Sequence, residues 1–201
     1  MENVNNKIER LKKMRELIIT IDMVNGFVKG GSLAAPSIMR IVPNQIKILD
    51  DALTKYDTGI VFIRDSHKEN ATEFKTYGIH CIEGTDETQV IDELKKYENV
   101  AFTYFKNSTN LIFAPGIQNA LINAKNLESV KLMGCLSDVC VENGAIGLRT
   151  FFDEINKDVD VCVYKDAIDT FSAPGHEADI VNMEALKRME ANGIKILGKR
   201  R

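Results

Sequence analysis

A cysteine, Cys140, lies where an apolar run stops and a run with helical spacing begins, in the segment 133–144 (MGCLSDVCVENG). A thiol at this position would face exposed backbone N–H groups and the positive end of a helix dipole, which favour the thiolate. The same N–H groups can stabilise the charge that develops on a carbonyl oxygen under attack. The sequence therefore predicts that Cys140 is a nucleophile in a setting that favours the thiolate over the thiol.

Two further reactive side chains follow short apolar runs elsewhere in the chain. Asp22 follows the run Leu17–Ile21, and Lys106 follows the run Val100–Phe105. An acid and a cation beside a thiol are the partners that nucleophilic catalysis by cysteine requires. We therefore expect Asp22, Lys106 and Cys140 to meet at one edge of a sheet.

The elements that must position these residues are six short apolar runs separated by segments with helical spacing. This alternation predicts an α/β fold with three αβα layers and a mostly parallel, Rossmann-like sheet of six strands. Such sheets bind ligands at the carboxyl ends of their strands, which is where Asp22, Asp65, Lys106 and the Cys140 turn would lie. The predicted strands are Leu17–Ile21, Gly59–Ile63, Val100–Tyr104, Ser129–Met133, Val159–Val163 and Ile194–Leu197.

A polar loop after the second predicted strand contains two of the three histidines. Asp65, His67, Glu73 and His80 would offer nitrogen and oxygen ligands suited to Zn²⁺, Mn²⁺ or Fe²⁺. Cys81 is a weaker candidate ligand than the adjacent His80, because neighbouring residues of an extended segment point in opposite directions. The residues alone leave open the alternative that this is a polar loop without a metal.

Composition limits the protein class. With 201 residues, 44% of them hydrophobic, we expect one domain over residues 1–201, with about residues 1–15 as a helical or flexible extension. A net charge of −3 argues against nucleic-acid binding. No apolar run approaches the roughly 20 residues of a membrane span, and the start is too polar for a signal peptide. We expect a cytoplasmic protein whose four cysteines are free thiols.

Two polar residues near these motifs are expected to have structural roles. Asp138 could orient the Cys140 turn by hydrogen bonds to backbone groups. His176, in the segment 173–179 (APGHEAD), is expected near a helix start, away from the metal loop. Cys135 and Cys162 are expected to be small buried hydrophobes.

With these motifs in place, the chain resembles the isochorismatase-like cysteine hydrolases, and among them the nicotinamidases. The resemblance runs from about residue 17 to the end. Glycine at position 78 stands where the family commonly has proline before the last metal ligand. The matching motifs are LIITIDMVNGF (17–27), Asp65-x-His67 with Glu73-Phe74 and HCIEGT (80–85), FKNST (105–109) and GCLSDVCV (134–141).

The resemblance implies roles for the catalytic residues. Cys140 would attack a carboxamide carbon, Asp22 would carry the thiol proton to the leaving ammonia, and Lys106 would hold Asp22 ionised. The backbone N–H groups of Leu136 and Cys140 would form the oxyanion hole. This arrangement implies a cis peptide bond between Cys135 and Leu136.

The resemblance also implies one divalent metal ion on Asp65, His67, Glu73 and His80, with Zn²⁺ expected first and Mn²⁺ or Fe²⁺ as alternatives. Phe27 and Tyr77 would be walls of the substrate site. The implied activity is hydrolysis of nicotinamide to nicotinate and ammonia by a homo-oligomer. Two alternatives stay open, another family hydrolase acting on a carbamoyl or ureido amide or on isochorismate, and a non-catalytic binding relative.

Overall fold

A computed structural model of the protein describes residues 9–198, which are built around one six-stranded sheet. The strand order is β3-β2-β1-β4-β5-β6, and every neighbouring pair is parallel. The predicted α/β fold with a mostly parallel six-stranded sheet is confirmed. The strands are β1 (Glu16–Ile21), β2 (Thr58–Asp65), β3 (Phe102–Lys106), β4 (Ser129–Cys135), β5 (Asp160–Asp169) and β6 (Lys195–Leu197).

Four longer α-helices connect the strands, and no helix among residues 9–198 is both long and apolar enough to cross a bilayer. The long helices are α1 (Val42–Leu53), α2 (Ile117–Asn123), α3 (Glu142–Glu154) and α4 (Ala178–Ala191). Shorter segments are α-helical at Asn25–Val28, Phe74–Tyr77 and Asp92–Lys95, 3₁₀-helical at Pro36–Ile41, Asp86–Thr88 and Leu111–Phe113, and π-helical at Ser137–Val141. Of the expected N-terminal extension, residues 9–12 are helical, and residues 1–8 lie outside the described part.

Buried side chains on the two faces of the sheet form two hydrophobic cores. Along β1, Ile19 and Ile21 belong to the core that α2, α3 and α4 cover, whereas Ile18 belongs to the core that α1 covers. Successive side chains of a strand point to opposite faces, so one apolar run supplies both cores. The result is the predicted three-layer arrangement.

The strand order creates a crevice between β1 and β4. After β1 the chain moves to β2 on one side, and after β4 it moves to β5 on the other. At such a switch point the connections leave in opposite directions and open a space beyond the carboxyl ends of the strands. Asp22 follows β1 and Cys140 follows β4. The topology therefore brings residues 118 positions apart to the two sides of one crevice.

Close contact between β1 and β4 just before the crevice requires a glycine. Gly134 has a φ of +127°, and a Cβ atom there would lie 2.0 Å from the carbonyl oxygen of Ile21. Only glycine adopts this conformation readily and leaves room for the neighbouring backbone. Gly134 thus allows the Cys140 turn to begin directly beside the end of β1.

Four predicted strands end later in the structure, and β4 is one of them, because it runs to Cys135 rather than Met133. β2 and β3 run on to Asp65 and Lys106, so these side chains lie on the last strand residues rather than beyond them. β5 continues to Asp169, past the predicted end at Val163. Polar residues within β5 at Lys165 and Asp166 interrupt the apolar run, and pairing with β4 nevertheless continues beyond an irregularity in register.

Candidate active site

The carboxyl ends of four strands bring Asp22, Asp65, Lys106 and Cys140 together, all of them buried. Asp22 is held by its backbone, because its N–H donates to Ile63 O of β2 at 2.9 Å. Its φ is +52°, in the left-handed region that residues other than glycine seldom occupy. A conformation of this kind at a strand end aims the carboxylate into the crevice instead of along the sheet.

Lys106 is the centre of the cluster. Its Nζ lies 2.9 Å from Asp22 Oδ2, 2.8 Å from Asp65 Oδ1 and 3.5 Å from Cys140 Sγ. Burial alone would lower the pKa of Lys106, but the two carboxylates hold it well above its ordinary value. Lys106 is therefore a cation close to the thiol and to two carboxylates. The sequence predicts its contact with Asp22 but not its contact with Asp65.

The carboxyl group of Asp22 titrates close to neutral pH. Burial raises its pKa most, and the charge of Asp65 raises it further, while Lys106 and a hydrogen bond with the Cys140 thiol lower it. The result is a pKa of about 6 instead of the ordinary 3.8. A carboxylate with such a pKa beside a thiol can accept and return a proton at physiological pH.

The expectation of a thiolate at Cys140 is wrong for the resting protein. Burial raises the pKa of this thiol well above its ordinary value, and the charge of Lys106 offsets that rise only in part. The sulfur lies within the π-helical turn Ser137–Val141, ahead of the α3 N-terminus at Glu142. The cysteine is therefore a buried thiol that needs a base, and Asp22 is the nearby candidate, because its Oδ2 lies 2.9 Å from the same Lys106 Nζ that lies 3.5 Å from the sulfur.

The backbone around the nucleophile has the feature that the resemblance implied. The peptide bond between Cys135 and Leu136 is cis. The carbonyl oxygen of Leu136 accepts hydrogen bonds from the N–H groups of Val139 and Val141, at 3.2 Å and 3.0 Å.

Four side chains form a candidate metal centre beside the cysteine. Asp65, His67, Glu73 and His80 each offer one ligand atom, and these atoms lie within 4.8 Å of one another. The Nε2 atoms of His67 and His80 lie 2.9 Å and 3.1 Å from Asp65 Oδ2. Glu73 Oε1 lies 3.9 Å from His67 Nε2. The structure thus gathers all four predicted ligands, and Cys81 is not among them.

The donor chemistry of this centre fits a divalent cation. Nδ1 of His80 faces Gly78 O at 2.9 Å, and Nδ1 of His67 faces Asn107 Oδ1 at 3.0 Å. Because these oxygens accept hydrogen bonds, we assign the proton of each neutral ring to Nδ1, which leaves lone pairs on both Nε2 atoms. In that tautomer the two Nε2 lone pairs and the two carboxylates would be the ligands of a divalent cation, and a set of two nitrogens and two carboxylates suits Zn²⁺.

Aromatic side chains surround this centre, and Cys140 lies near it. The ring of Phe27 is buried 5.6 Å from the His80 ring. Tyr77 is 38% exposed, and burial together with the charges of Cys140 and Glu73 raises its pKa. Phe27 therefore packs against the metal centre, and Tyr77 lies partly exposed at the end of the helical turn Phe74–Tyr77 that follows Glu73.

A family comparison identifies the chain. A model of the isochorismatase domain matches residues 16–192. The chain belongs to the isochorismatase family of hydrolases.

Three known proteins are similar to this isochorismatase-family chain, one in sequence and two in structure. A Bacillus subtilis (strain 168) protein, described as the uncharacterized isochorismatase family protein PncA, is 26% identical over 172 residues, covering 81% of this chain and 91% of the relative. The structure of pyrazinamidase/nicotinamidase from Streptococcus mutans UA159 has a TM-score of 0.75 at 22% identity, covering 90% and 99% of the two chains. Pyrazinamidase of Pyrococcus horikoshii in complex with zinc has a TM-score of 0.73 at 22% identity, covering 92% and 99%.

Sequence reasoning missed two residues of this family member's site. Phe74 packs edge-on against His67 and His80, with ring centroids 5.3 Å and 5.6 Å away. Asn107 orients His67 through the hydrogen bond to Nδ1. Both directly follow residues that were predicted, Glu73 and Lys106, so proximity in sequence was the available signal. Their roles depend on ring packing and on a contact across 40 residues, which no local pattern encodes.

The structure changes the role expected for Asp138, whereas His176 lies near a helix start as expected. Asp138 was expected to bond to backbone groups, but its Oδ2 lies 2.9 Å from Nε2 of His176. His176 was expected near a helix start, and it does precede α4. The loop 173–176 places the His176 imidazole in contact with Asp138 of the Cys140 turn. Cys135 and Cys162 are buried as expected.

Proposed function

We propose that this isochorismatase-family hydrolase is a metal-dependent nicotinamidase, converting nicotinamide to nicotinate and ammonia through a thioester on Cys140. The observation that carries the proposal is Asp65. One of its oxygens contacts Lys106 of the catalytic group, and the other faces the two histidines of the metal centre. A substrate held at the metal centre would therefore lie next to the thiol, as a small ring with a carboxamide substituent requires.

In the first half of the reaction, Asp22 takes the proton of the Cys140 thiol, and the sulfur attacks the carboxamide carbon. The N–H groups of Leu136 and Cys140 stabilise the oxyanion. When the C–N bond breaks, Asp22 delivers its proton to the departing nitrogen, which leaves as ammonia. Lys106 supports both steps, because its charge keeps Asp22 ionised before attack and lies near the sulfur as the proton leaves.

In the second half, Asp22 takes a proton from water, and the resulting hydroxide attacks the thioester carbon. The C–S bond breaks, the sulfur recovers the proton from Asp22, and the acid is released. A divalent ion on Asp65, His67, Glu73 and His80 would supply a Lewis acid for the pyridine nitrogen and so orient the ring. Phe27 and Tyr77 would hold the ring faces.

The test compares two cysteines of equal exposure. Cys140 and Cys162 are each 4% exposed, but Cys162 lies in β5 and makes no contact with the catalytic group. Purified protein of known metal content is incubated with nicotinamide, and ammonia release is followed before and after chelation. We expect Cys140→Ala to abolish ammonia release with its metal content unchanged, and Cys162→Ala to retain turnover.

Three results would contradict the proposal. Ammonia release by the Cys140→Ala protein would refute the nucleophile, and undiminished turnover after complete removal of metal would refute the metal dependence. No turnover of nicotinamide, with hydrolysis of a carbamoyl or ureido amide or of isochorismate, would assign the protein to another activity of its family.

A further inference from the structure

The turn that carries Cys140 is held by a histidine from the last crossover of the sheet. Nε2 of His176 lies 2.9 Å from Asp138 Oδ2, and Nδ1 lies 3.0 Å from the carbonyl oxygen of Phe171. The imidazole also stacks on the Phe171 ring, with centroids 4.0 Å apart and an interplanar angle of 5°. Both nitrogens and one face of the ring are therefore fixed. The reaction described above uses none of these contacts.

Asp138 depends on this histidine. It lies two positions before Cys140 in the same π-helical turn. Its other oxygen, Oδ1, is buried and has no hydrogen-bond partner within the described residues. The contact with His176 is thus the one hydrogen bond found for this carboxylate among residues 9–198.

A carboxylate in this position must either keep its partner or move. The Asp138 side chain is 13% exposed, and a carboxylate that is largely out of water loses stabilisation with its one hydrogen bond, so the turn would shift to bring Asp138 further into water. Burial lowers the pKa of His176, but the hydrogen bonds that its ring donates to Asp138 and to the Phe171 carbonyl oxygen raise it overall, which strengthens the pair. A shift of about 1 Å at a nucleophile is enough to slow attack by about a hundredfold.

We propose that His176 is a positioning residue for the nucleophile, acting through Asp138 to fix the turn that carries Cys140. The proposal rests on the role of Cys140 in the proposed function. It assigns His176 no contact with substrate and no proton transfer. The expected signature is a loss in kcat with KM little changed, because substrate binding at the metal centre does not involve this pair.

The kinetic test is a double-mutant cycle with a conservative rescue. We expect His176→Ala and Asp138→Ala each to lower kcat at least tenfold, with KM within about twofold of the wild type. The double variant should be no slower than the slower single variant, because the two residues act as one unit. His176→Gln should retain kcat within about threefold, since its amide can still donate to Asp138. Multiplicative losses, or an unchanged kcat in His176→Ala, would overturn the proposal.

A second comparison guards against a folding defect. If His176→Ala does not fold, His176→Gln is compared with His176→Asn, whose shorter amide replaces only the contact with Phe171. Equal kcat in these two variants would overturn the proposal. Tyr97→Phe is the matched control, because it removes a 2.6 Å hydrogen bond between a ring and Asp50 away from the site. We expect its kcat to equal that of the wild type.

A measurement without substrate separates this proposal from the proposed function. Alkylation of Cys140 by iodoacetamide is followed by mass spectrometry of the peptide that contains it. We expect the rate constant to change at least threefold in His176→Ala and to return toward the wild-type value in His176→Gln. If the wild type does not hydrolyse nicotinamide but this pattern holds, only the substrate assignment fails. An unchanged alkylation rate in His176→Ala would overturn the positioning role.

Discussion

Replacement of Asp22 by asparagine is expected to make the protein more stable and inactive. Asp22 is completely buried, and its pKa rises from 3.8 to about 6 on folding. Each pKa unit corresponds to about 1.4 kcal/mol, so the ionised side chain costs the folded state about 3 kcal/mol at neutral pH. Asparagine has the same shape without the charge, and Lys106 keeps Asp65 as a partner.

The titration of Asp22 determines at which pH the Asp22→Asn variant is more stable than the wild type. Below pH 3.8, Asp22 is protonated in both the folded and the unfolded state, so its pKa shift does not change the stability. Above pH 6, Asp22 is ionised in both states, and the full destabilisation of the folded state applies. Between these values the folded state binds more protons, so wild-type stability falls relative to Asp22→Asn as pH rises. Above pH 6 the variant should melt roughly 6–12 °C higher than the wild type.

The assay is thermal unfolding of chelated wild-type and Asp22→Asn proteins from pH 4 to pH 8. Asp158→Asn, at an exposed position, is the control and should show no such trend. The same acid should govern activity, so wild-type kcat/KM should decline below pH of about 6, where Asp22 is protonated and cannot accept the thiol proton. An Asp22→Asn protein that is no more stable than wild type at pH 7 would refute the reasoning.

Two further substitutions test the metal centre and the strand contact. Asn107→Ala removes the acceptor at Nδ1 of His67, and we expect metal affinity, measured by competition with a chelator, to fall about 10- to 100-fold; unchanged affinity would contradict this role. Gly134→Ala would place a Cβ 2.0 Å from Ile21 O, and we expect a loss of at least about 4 kcal/mol in unfolding free energy. Gly30→Ala, with nothing within 4 Å, is its control, and equal stability of the two variants would be evidence against the contact.

The strands and the metal ligands could be predicted because their signals are local. An apolar run such as Leu17–Ile21 buries both faces of a strand whatever lies beside it, and all six runs became strands. The four predicted ligands come from one loop of 16 residues, so the chain itself keeps them near one another. Strand ends were less certain, because β5 continues through polar residues that its partner strand supports.

The state of the nucleophile could not be predicted from the sequence. The helix-compatible run after Cys140 suggested a thiolate, but the pKa depends on how much water reaches the sulfur. Burial is decided by packing of the whole crevice, and it outweighs the charge of Lys106. Sequence reasoning located the residue and misjudged its protonation, because the location depends on the local pattern and the protonation on distant neighbours.

The sequence by itself determined the parallel α/β architecture, which strands carry reactive side chains at or just beyond their carboxyl ends, and the residue types available for chemistry. Hydrophobic periodicity and loop length decide these features without long-range information. Only the tertiary structure decided that Asp65 contacts both Lys106 and the histidines, and that His176 reaches Asp138 across 38 residues. Such contacts follow from the order of strands in the sheet, which is set by the packing of both cores together.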